Sequence, residues 1–139
     1  MIGDIKDTGS DYSKILEIIE NSIEIICESQ KEKDIQDIMA SQLECNSRQT
    51  LSSENFPDVE VDIIGDDFAI EIKYNEKYYS GFSQLLAQRL LYNIKNVYLI
   101  HINEYINPKF SKAFFKLAEE LKIVSILVNK RRKEILVNP

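Results

Sequence analysis

The sequence predicts an α/β fold in which a mixed central β-sheet is flanked by helices. Three observations support this: helical spacing of apolar residues in the first 45 positions, period-two alternation across residues 59–73, and a regular exchange of helices and strands after that. A strand meander followed by alternating helices and strands favours a mixed sheet with helices on both faces. The length of 139 residues and the 44% hydrophobic content suit a single domain with its own core.

The first 45 residues predict two helices. The first runs from Asp11 to Ser29, where apolar residues recur every three or four positions. Its apolar stripe consists of Tyr12, Ile15, Leu16, Ile19, Ile23 and Ile26. Ile18 and Ile25 fall off this stripe, so the helix is expected either to be covered on two sides or to pack on a partner chain. The second helix, from Lys31 to Cys45, has its stripe at Ile35, Ile38, Met39 and Leu43.

The period then changes to that of strands. A weakly signalled strand covers Arg48–Glu54, and clear alternation follows in Val59–Ile64 and in Phe68–Lys73. The remaining chain predicts, in order, a loop over Tyr74–Phe82, a helix over Ser83–Asn96, a buried strand over Val97–Ile102, a helix from Asn107-Pro108 to about Lys122, a strand over Ile123–Val128, a basic turn over Asn129–Lys133 and a short strand over Glu134–Val137.

The connection between the two clear strands decides which side chains share a face. Gly65-Asp66 suits a two-residue hairpin turn with a positive φ at the glycine. That turn pairs Ile64 with Asp67, Asp62 with Ala69, and Glu60 with Glu71. Because paired residues lie on one face, Asp62, Glu71 and Lys73 are expected to converge. A three-residue loop would place Asp62 on the opposite face.

The converging side chains carry more negative than positive charge. Glu60, Asp62 and Glu71 repel one another, and Lys73 offsets only part of that repulsion. Two explanations stay open: the patch is solvated, or it holds a divalent cation. Mg²⁺ prefers one or two carboxylates together with waters and phosphate oxygens of a substrate. Lys73 would then position or deprotonate a water, or stabilise charge in the transition state.

These residues resemble the motif of the PD-(D/E)xK nuclease superfamily, which has the restriction-endonuclease-like fold. The matching text is PDVEVD at residues 57–62 and FAIEIK at residues 68–73. The resemblance implies an αβββαβ core over residues 31–102, a helical addition over 1–29, and a C-terminal helix and strands over 103–139. It also implies Mg²⁺- or Mn²⁺-dependent hydrolysis of DNA phosphodiesters, with the metal held by Asp62, Glu71 and the carbonyl of Ile72, and with Lys73 acting on the water.

The resemblance implies two further site residues and a dimer. Many members carry a glutamate on the first core helix, for which Glu32 is the candidate because it falls on the apolar stripe of its helix. Members also carry a glutamine on the helix after the second motif. Gln84 is the candidate, with Gln88 one turn further on the same side. Small single-domain members include archaeal Holliday-junction resolvases, which act as dimers, so a homodimer is expected.

Composition and charge limit the functions that the sequence allows. The net charge of −6 argues against coating nucleic acid through bulk charge, but not against an acidic metal site. Two alternatives therefore stay open: a non-cleaving relative that serves as a binding or assembly module, and a nuclease active only with a partner protein that supplies basic surface. No signal pattern and no membrane-length apolar run is visible, so a cytoplasmic protein with no membrane partner is expected.

Three other features have two interpretations each, and the cysteines have one. His101 is either a base or a structural residue. The loop tyrosines Tyr74, Tyr78 and Tyr79 either contact nucleic acid or cap the core. The basic run KRRK at residues 130–133 either grips phosphates or is a solvated turn. The two cysteines form no CxxC pair and are expected to be reduced, partly buried thiols.

Overall fold

The computed structural model describes residues 2–138 of the chain, with side chains from Asp11 onward. Its elements are α1 (Ile2–Asn21), α2 (Ile23–Glu28), α3 (Glu32–Leu43), β1 (Asn46–Leu51), β2 (Val59–Ile64), β3 (Phe68–Tyr74), α4 (Phe82–Tyr92), β4 (Asn96–Asn103), α5 (Pro108–Leu121), β5 (Val124–Asn129) and β6 (Glu134–Val137). In the described chain, no helix is both long and apolar enough to cross a membrane.

The six strands form one mixed sheet in the order β1-β2-β3-β4-β5-β6. The first three strands form an antiparallel meander, β3, β4 and β5 run parallel, and β6 returns antiparallel on β5. The parallel connections pass through α4 and α5, as crossover connections require. The predicted mixed α/β architecture is therefore confirmed.

The helices cover the sheet on both faces, and each face has its own apolar cluster. On one side, α1, α2 and α3 bury residues such as Ile19 and Met39 against Ile70 and Ile100. On the other side, α4 and α5 bury Leu85 and Phe114 against the strands. The described side chains of α1 and α2, from Tyr12 onward, therefore belong to the same core as α3.

Several element ends differ from the predictions. The helix expected over residues 11–29 is two helices separated at Ser22, and Ile18, which lies off the predicted apolar stripe, is 8% exposed and belongs to the core. Ile25 is 55% exposed. The weak first strand begins two residues earlier than expected. Helix α4 ends at Tyr92 because Asn93 adopts a left-handed conformation, with φ 58°.

The start of α5 is as predicted. Asn107 is the N-cap, and its side-chain oxygen accepts a hydrogen bond of 2.8 Å from the backbone N–H of Phe110, while Pro108 occupies the first turn. The cap supplies an acceptor for a backbone donor that has no partner inside the helix. Local sequence chemistry was sufficient to place this helix start.

The β2–β3 hairpin corrects the predicted turn. Ile63 pairs with Ile70 and Ile64 with Ala69, and the N–H of Gly65 donates to the Phe68 carbonyl at 2.9 Å. The two turn residues are therefore 66 and 67, and the register differs by two residues from the predicted one. The predicted positive φ at Gly65 is also wrong.

A different constraint explains the glycine at position 65. A Cβ there would lie 2.4 Å from the ring of Phe68, which packs edge-to-face on Tyr98 with ring centroids 6.2 Å apart. Glycine is needed because the aromatic ring approaches the backbone closely, not because the backbone requires a left-handed conformation.

Candidate metal site in a gap of the sheet

The site begins where the sheet opens around Asp62. The paired residues of β2 and β3 end at Ile63 and Ile70, although β2 continues back to Val59 and β3 continues to Tyr74. On the other side, the β1–β2 register omits Arg48, which would lie opposite Asp62. Arg48 has a φ of 50°, a strained value for a long side chain. Regular pairing is therefore interrupted on both sides of Asp62.

Two carboxylates fill this gap. Asp62 Oδ2 accepts a 2.8 Å hydrogen bond from the N–H of Ile72, and Glu71 Oε2 accepts a 3.0 Å hydrogen bond from the N–H of Asp62. Side chains thus satisfy backbone donors that lack partners in the ladder. Asp62 is 7% exposed and Glu71 is fully buried. The expectation that Asp62 and Glu71 lie on one face of the hairpin is therefore confirmed, and both side chains are buried.

Burial changes the protonation of this pair. The pKa of Glu71 is raised to about 8, first by burial and second by the neighbouring Asp62 carboxylate. The pKa of Asp62 is also raised, with burial as the main cause, while the hydrogen bonds from Ile72 N–H and with Glu71 oppose the rise. Without a cation, the pair therefore holds a proton at neutral pH.

One oxygen of this pair lacks any partner. Glu71 Oε1 is buried and receives no hydrogen bond from the described residues. A buried carboxylate oxygen without a donor is costly unless a proton or a cation satisfies it. The unpartnered oxygen and the raised pKa therefore mark a carboxylate that needs either a proton or a cation.

Of the two candidate glutamines on α4, Gln88 and not Gln84 forms a hydrogen bond with the carboxylate pair. Gln88 is fully buried, and its Nε2 donates to Glu71 Oε2 at 3.1 Å and to the Glu60 carbonyl at 3.3 Å. Gln84 is half-buried, and its Oε1 has no hydrogen-bond partner in the described chain. Both residues lie on α4, one turn apart, so the spacing alone offered two candidates.

Glu32 reaches the site from the other side of the sheet. It is the first residue of α3, and its Oε1 accepts a 3.2 Å hydrogen bond from the N–H of Tyr74 at the end of β3. Burial raises its pKa, which the Lys73 charge lowers and the Asp62 charge raises. Glu32 therefore lies within electrostatic range of both residues.

Lys73 lies on the same face as Glu71, two residues along β3. Its charge lowers the pKa of Glu71, Asp62 and Glu32, and no hydrogen bond or ion pair holds its ammonium among the described residues. The stem of Lys73 packs on Gly81, where a Cβ would lie 3.2 Å from Lys73 Cγ and 2.5 Å from Leu99 Cδ1. Glycine at position 81 leaves room for this side chain.

The donor set suits a hard divalent cation. The available atoms are carboxylate oxygens of Asp62 and Glu71. The N–H of Ile72 faces β2, and the N–H and carbonyl of one strand residue point to the same edge, so the Ile72 carbonyl also faces β2. No group of three or more His, Cys, Asp or Glu residues in the described part of the chain is arranged to hold a metal. Carboxylate oxygens such as those of Asp62 and Glu71 are the ligand type that Mg²⁺ and Mn²⁺ prefer.

His101 supports the loop after β3. It is fully buried and lies beside Lys73 in the β3–β4 register. Its Nε2 lies 3.2 Å from the Glu76 carbonyl and 3.1 Å from Asn103 Oδ1, both acceptors, so Nε2 carries the proton. The Asn103 orientation follows from its Nδ2, which donates to the same Glu76 carbonyl at 3.3 Å. Burial lowers the His101 pKa, which keeps the ring neutral.

The basic run at residues 130–133 is not a uniform solvated turn. Lys130 is 7% exposed, and its ammonium donates to the Ser29 carbonyl at 2.7 Å and to the Tyr74 hydroxyl at 2.6 Å. It also forms an ion pair with Glu104 at 3.0 Å. Lys133 pairs with Glu24 at 2.8 Å. The exposed residues 131 and 132 are the only ones of the four without an ion pair among the described residues.

The two cysteines are free thiols, as expected. Cys27 is buried and Cys45 is half-buried, and burial raises the pKa of both. Neither lies with histidine or acidic residues in an arrangement that could hold a metal within the described chain.

Comparison with known proteins leaves the site to be interpreted from its own geometry. No protein-family model, no curated protein and no solved structure matches this chain.

Proposed function

We propose that this protein is a divalent-metal-dependent nuclease of the PD-(D/E)xK type that hydrolyses DNA phosphodiester bonds. The observation that carries the proposal is the buried pair of Asp62 and Glu71, whose unpartnered Glu71 Oε1 lies in a gap of the sheet. The strand meander followed by a parallel crossover supports the restriction-endonuclease-like core, and the sequence motif agrees with it. The substrate is DNA, and the proposed assembly is a homodimer.

Each site residue has a proposed task. Asp62, Glu71 and the Ile72 carbonyl would hold Mg²⁺ or Mn²⁺, which supplies Lewis acidity and a lowered pKa for a bound water. Lys73, with its unpaired ammonium, orients the attacking water or stabilises charge on the phosphate. Gln88 fixes the orientation of the Glu71 carboxylate through its 3.1 Å hydrogen bond. Glu32 assists from the edge of the site, where its carboxylate is held by the Tyr74 N–H. Gln84, one turn before Gln88 on α4, is assigned no direct task at the carboxylates.

The test is a cleavage assay with matched variants. Linear, nicked, flapped, single-stranded and four-way DNA are incubated with Mg²⁺ or Mn²⁺ and the wild-type protein, Asp62→Ala or Glu71→Ala. Wild type is expected to cleave at least one substrate, and both variants are expected to lose that activity. Glu120→Ala is the control, because Glu120 belongs to the other Glu-x-Lys of the chain and is exposed on α5. Cleavage that persists in Asp62→Ala/Glu71→Ala would refute the proposal.

A second candidate function has its own supporting observation. Both carboxylates already accept backbone N–H groups, so the pair could serve only to hold β2 and β3 together where their ladder stops. The protein would then be a non-cleaving binding or assembly module. Calorimetric titration with Mn²⁺ separates the two candidate functions, because a carboxylate pair that only holds two strands together needs no metal. A third outcome, metal binding by purified protein that cleaves nothing, would indicate a nuclease that requires a partner.

A further inference from the structure

Two exposed tyrosines lie side by side on the loop that follows β3. Tyr78 is 37% exposed and Tyr79 is 50% exposed, although aromatic rings of this size usually bury most of their surface. The ammonium of Lys77 lies 6.0 Å from the centre of the Tyr79 ring. The loop therefore presents aromatic surface next to a positive charge.

The aromatic surface is held in place by ring contacts. The two tyrosine rings meet edge-to-face with centroids 5.1 Å apart, and Tyr78 also meets the ring of Phe110 at 6.1 Å. Phe110 in turn contacts the buried ring of His101 at 5.3 Å. The exposed tyrosines thus continue an aromatic row that begins inside the protein.

The backbone of the loop is fixed as well. The N–H and hydroxyl of Ser80 donate to the Lys77 carbonyl at 3.1 and 3.0 Å, which closes a tight turn around the tyrosines. His101 and Asn103 both donate to the Glu76 carbonyl just before that turn. A surface ordered before binding loses less conformational entropy when a ligand stacks on it.

The loop begins and ends beside the candidate metal site. It leaves β3 directly after Lys73 and Tyr74, and it returns at Gly81, which packs on the stem of Lys73. A strand of DNA whose phosphate lay at the carboxylate pair would place neighbouring nucleotides within reach of this loop. The acidic net charge of the chain leaves little general attraction for DNA, so local contacts of this kind gain importance.

We infer that Tyr78 and Tyr79 form a stacking ledge for unpaired nucleobases next to the cleaved phosphodiester, with Lys77 contacting a backbone phosphate. Stacking on aromatic side chains requires bases that are not stacked in a duplex. The inference, which rests on the proposed nuclease function, therefore assigns a substrate class: DNA with a single-stranded segment, such as an overhang or a flap, in preference to continuous duplex.

The chain contains no tryptophan, which makes a clean optical test possible. Tyr79→Trp introduces a single tryptophan on the ledge, and its fluorescence is followed while a single-stranded oligonucleotide or a blunt duplex of the same sequence is added. The titration is done in chelator, so that no cleavage occurs. Strong quenching by the single strand and weak quenching by the duplex are expected. Leu90→Trp is the control, because position 90 is 68% exposed near the far end of α4 and is expected to show no quenching.

Affinity supplies the second readout. Tyr79→Ala is expected to weaken binding of a labelled single strand by about 5- to 150-fold, the range found for loss of one base–aromatic stack. Tyr79→Phe keeps the ring and should bind within about twofold of wild type, since stacking does not use the hydroxyl. Circular dichroism verifies that each variant is folded.

The results separate the ledge from the nuclease. Quenching of Tyr79→Trp by single strands, in a protein that neither cleaves DNA nor binds Mn²⁺, would support the ledge and refute the proposed function. Cleavage of blunt duplex by wild type, with unchanged single-strand affinity in Tyr79→Ala, would support the nuclease and overturn the ledge. Absence of quenching by any DNA would overturn the ledge.

Discussion

Replacement of Glu71 by glutamine is expected to change how the stability of the metal-free protein depends on pH. The pKa of Glu71 is about 8 in the folded protein, against 4.5 for an unperturbed glutamate. Between these values the folded state holds a proton that the unfolded state lacks. The free energy of unfolding of wild type therefore falls as pH rises through this window, and Glu71→Gln, which does not titrate, removes this contribution.

The structure sets the size of this effect. One unit of pKa corresponds to about 1.4 kcal/mol, so the contribution of Glu71 declines by up to about 1.4 kcal/mol per pH unit and by roughly 4 to 5 kcal/mol in total. The fully buried carboxylate justifies using the shift without a discount for solvent screening. Glutamine preserves the size of the side chain and an acceptor for the N–H of Asp62. Its amide nitrogen also occupies the place of the unpartnered Oε1.

The assay is urea unfolding in chelator at pH values from 5 to 9, followed by circular dichroism. Wild type and Glu71→Gln should have similar stability near pH 5, and the variant should be more stable by roughly 3 kcal/mol at pH 7. Glu120→Gln, an exposed exchange of the same type, controls for the general loss of negative charge. Parallel curves for wild type and Glu71→Gln would refute the assignment of a buried, protonated Glu71.

Three further predictions follow from the site and its supports. Gln88→Met should lower the free energy of unfolding by about 1 to 3 kcal/mol, because it leaves buried acceptors without their donor. Gln84→Met should lower it by less, and equal losses in urea unfolding would contradict the assignment of Gln88. Gly65→Ala should cost about 1 to 3 kcal/mol in thermal unfolding, because the new methyl group must displace the Phe68 ring; an unchanged melting temperature would contradict this. The pKa of His101 is lowered in the folded protein, so the unfolded state binds a proton more readily and the free energy of unfolding should fall as pH drops below about 6.5. His101→Gln should flatten that part of the stability profile. A wild-type profile retained in His101→Gln would assign the loss to other groups.

The convergence of Asp62 and Glu71 could be predicted although the turn between them could not. The predicted turn at Gly65-Asp66 lies one residue too early, which changes the register by two. Because side chains alternate with a period of two, a shift of two residues leaves every side chain on its predicted face. The face assignment was therefore less sensitive to the turn than the pairing was. The sequence did not reveal that pairing is interrupted on both sides of Asp62, because no local pattern marks the positive φ of Arg48 or the end of the β2–β3 pairing.

The choice between the two glutamines shows where local spacing stops being informative. Gln84, the candidate from the sequence, lies in the first turn of α4, the end of the helix that follows β3. Glu71, however, lies three residues before the end of that strand. A helix that crosses back over the sheet therefore meets Glu71 in its second turn, where Gln88 is located. Which glutamine meets Glu71 depends on where α4 crosses β3, and the spacing of residues along α4 does not show where that crossing lies.

Whether each residue of the basic run 130–133 is buried or exposed depends on contacts between distant parts of the chain. Lys130 is buried by the end of α2 and by Tyr74, which are far from it in sequence. The four consecutive basic residues give no indication that one of them is enclosed. The start of α5, by contrast, was predictable because the cap and the proline act within a single turn.

Calorimetric titration with Mn²⁺ tests the central claim most directly, because it asks whether Asp62 and Glu71 hold a divalent cation. Wild type and Glu120→Gln are expected to bind about one ion per chain, more tightly at pH 8.5 than at pH 6.5, since the ion must displace the proton on Glu71. Asp62→Asn and Glu71→Gln are expected to bind at least tenfold more weakly, the scale on which loss of a ligand or its support lowers metal affinity. Absence of binding to the folded wild-type protein, or equal binding by all four proteins, would contradict the assignment of a metal site to this pair.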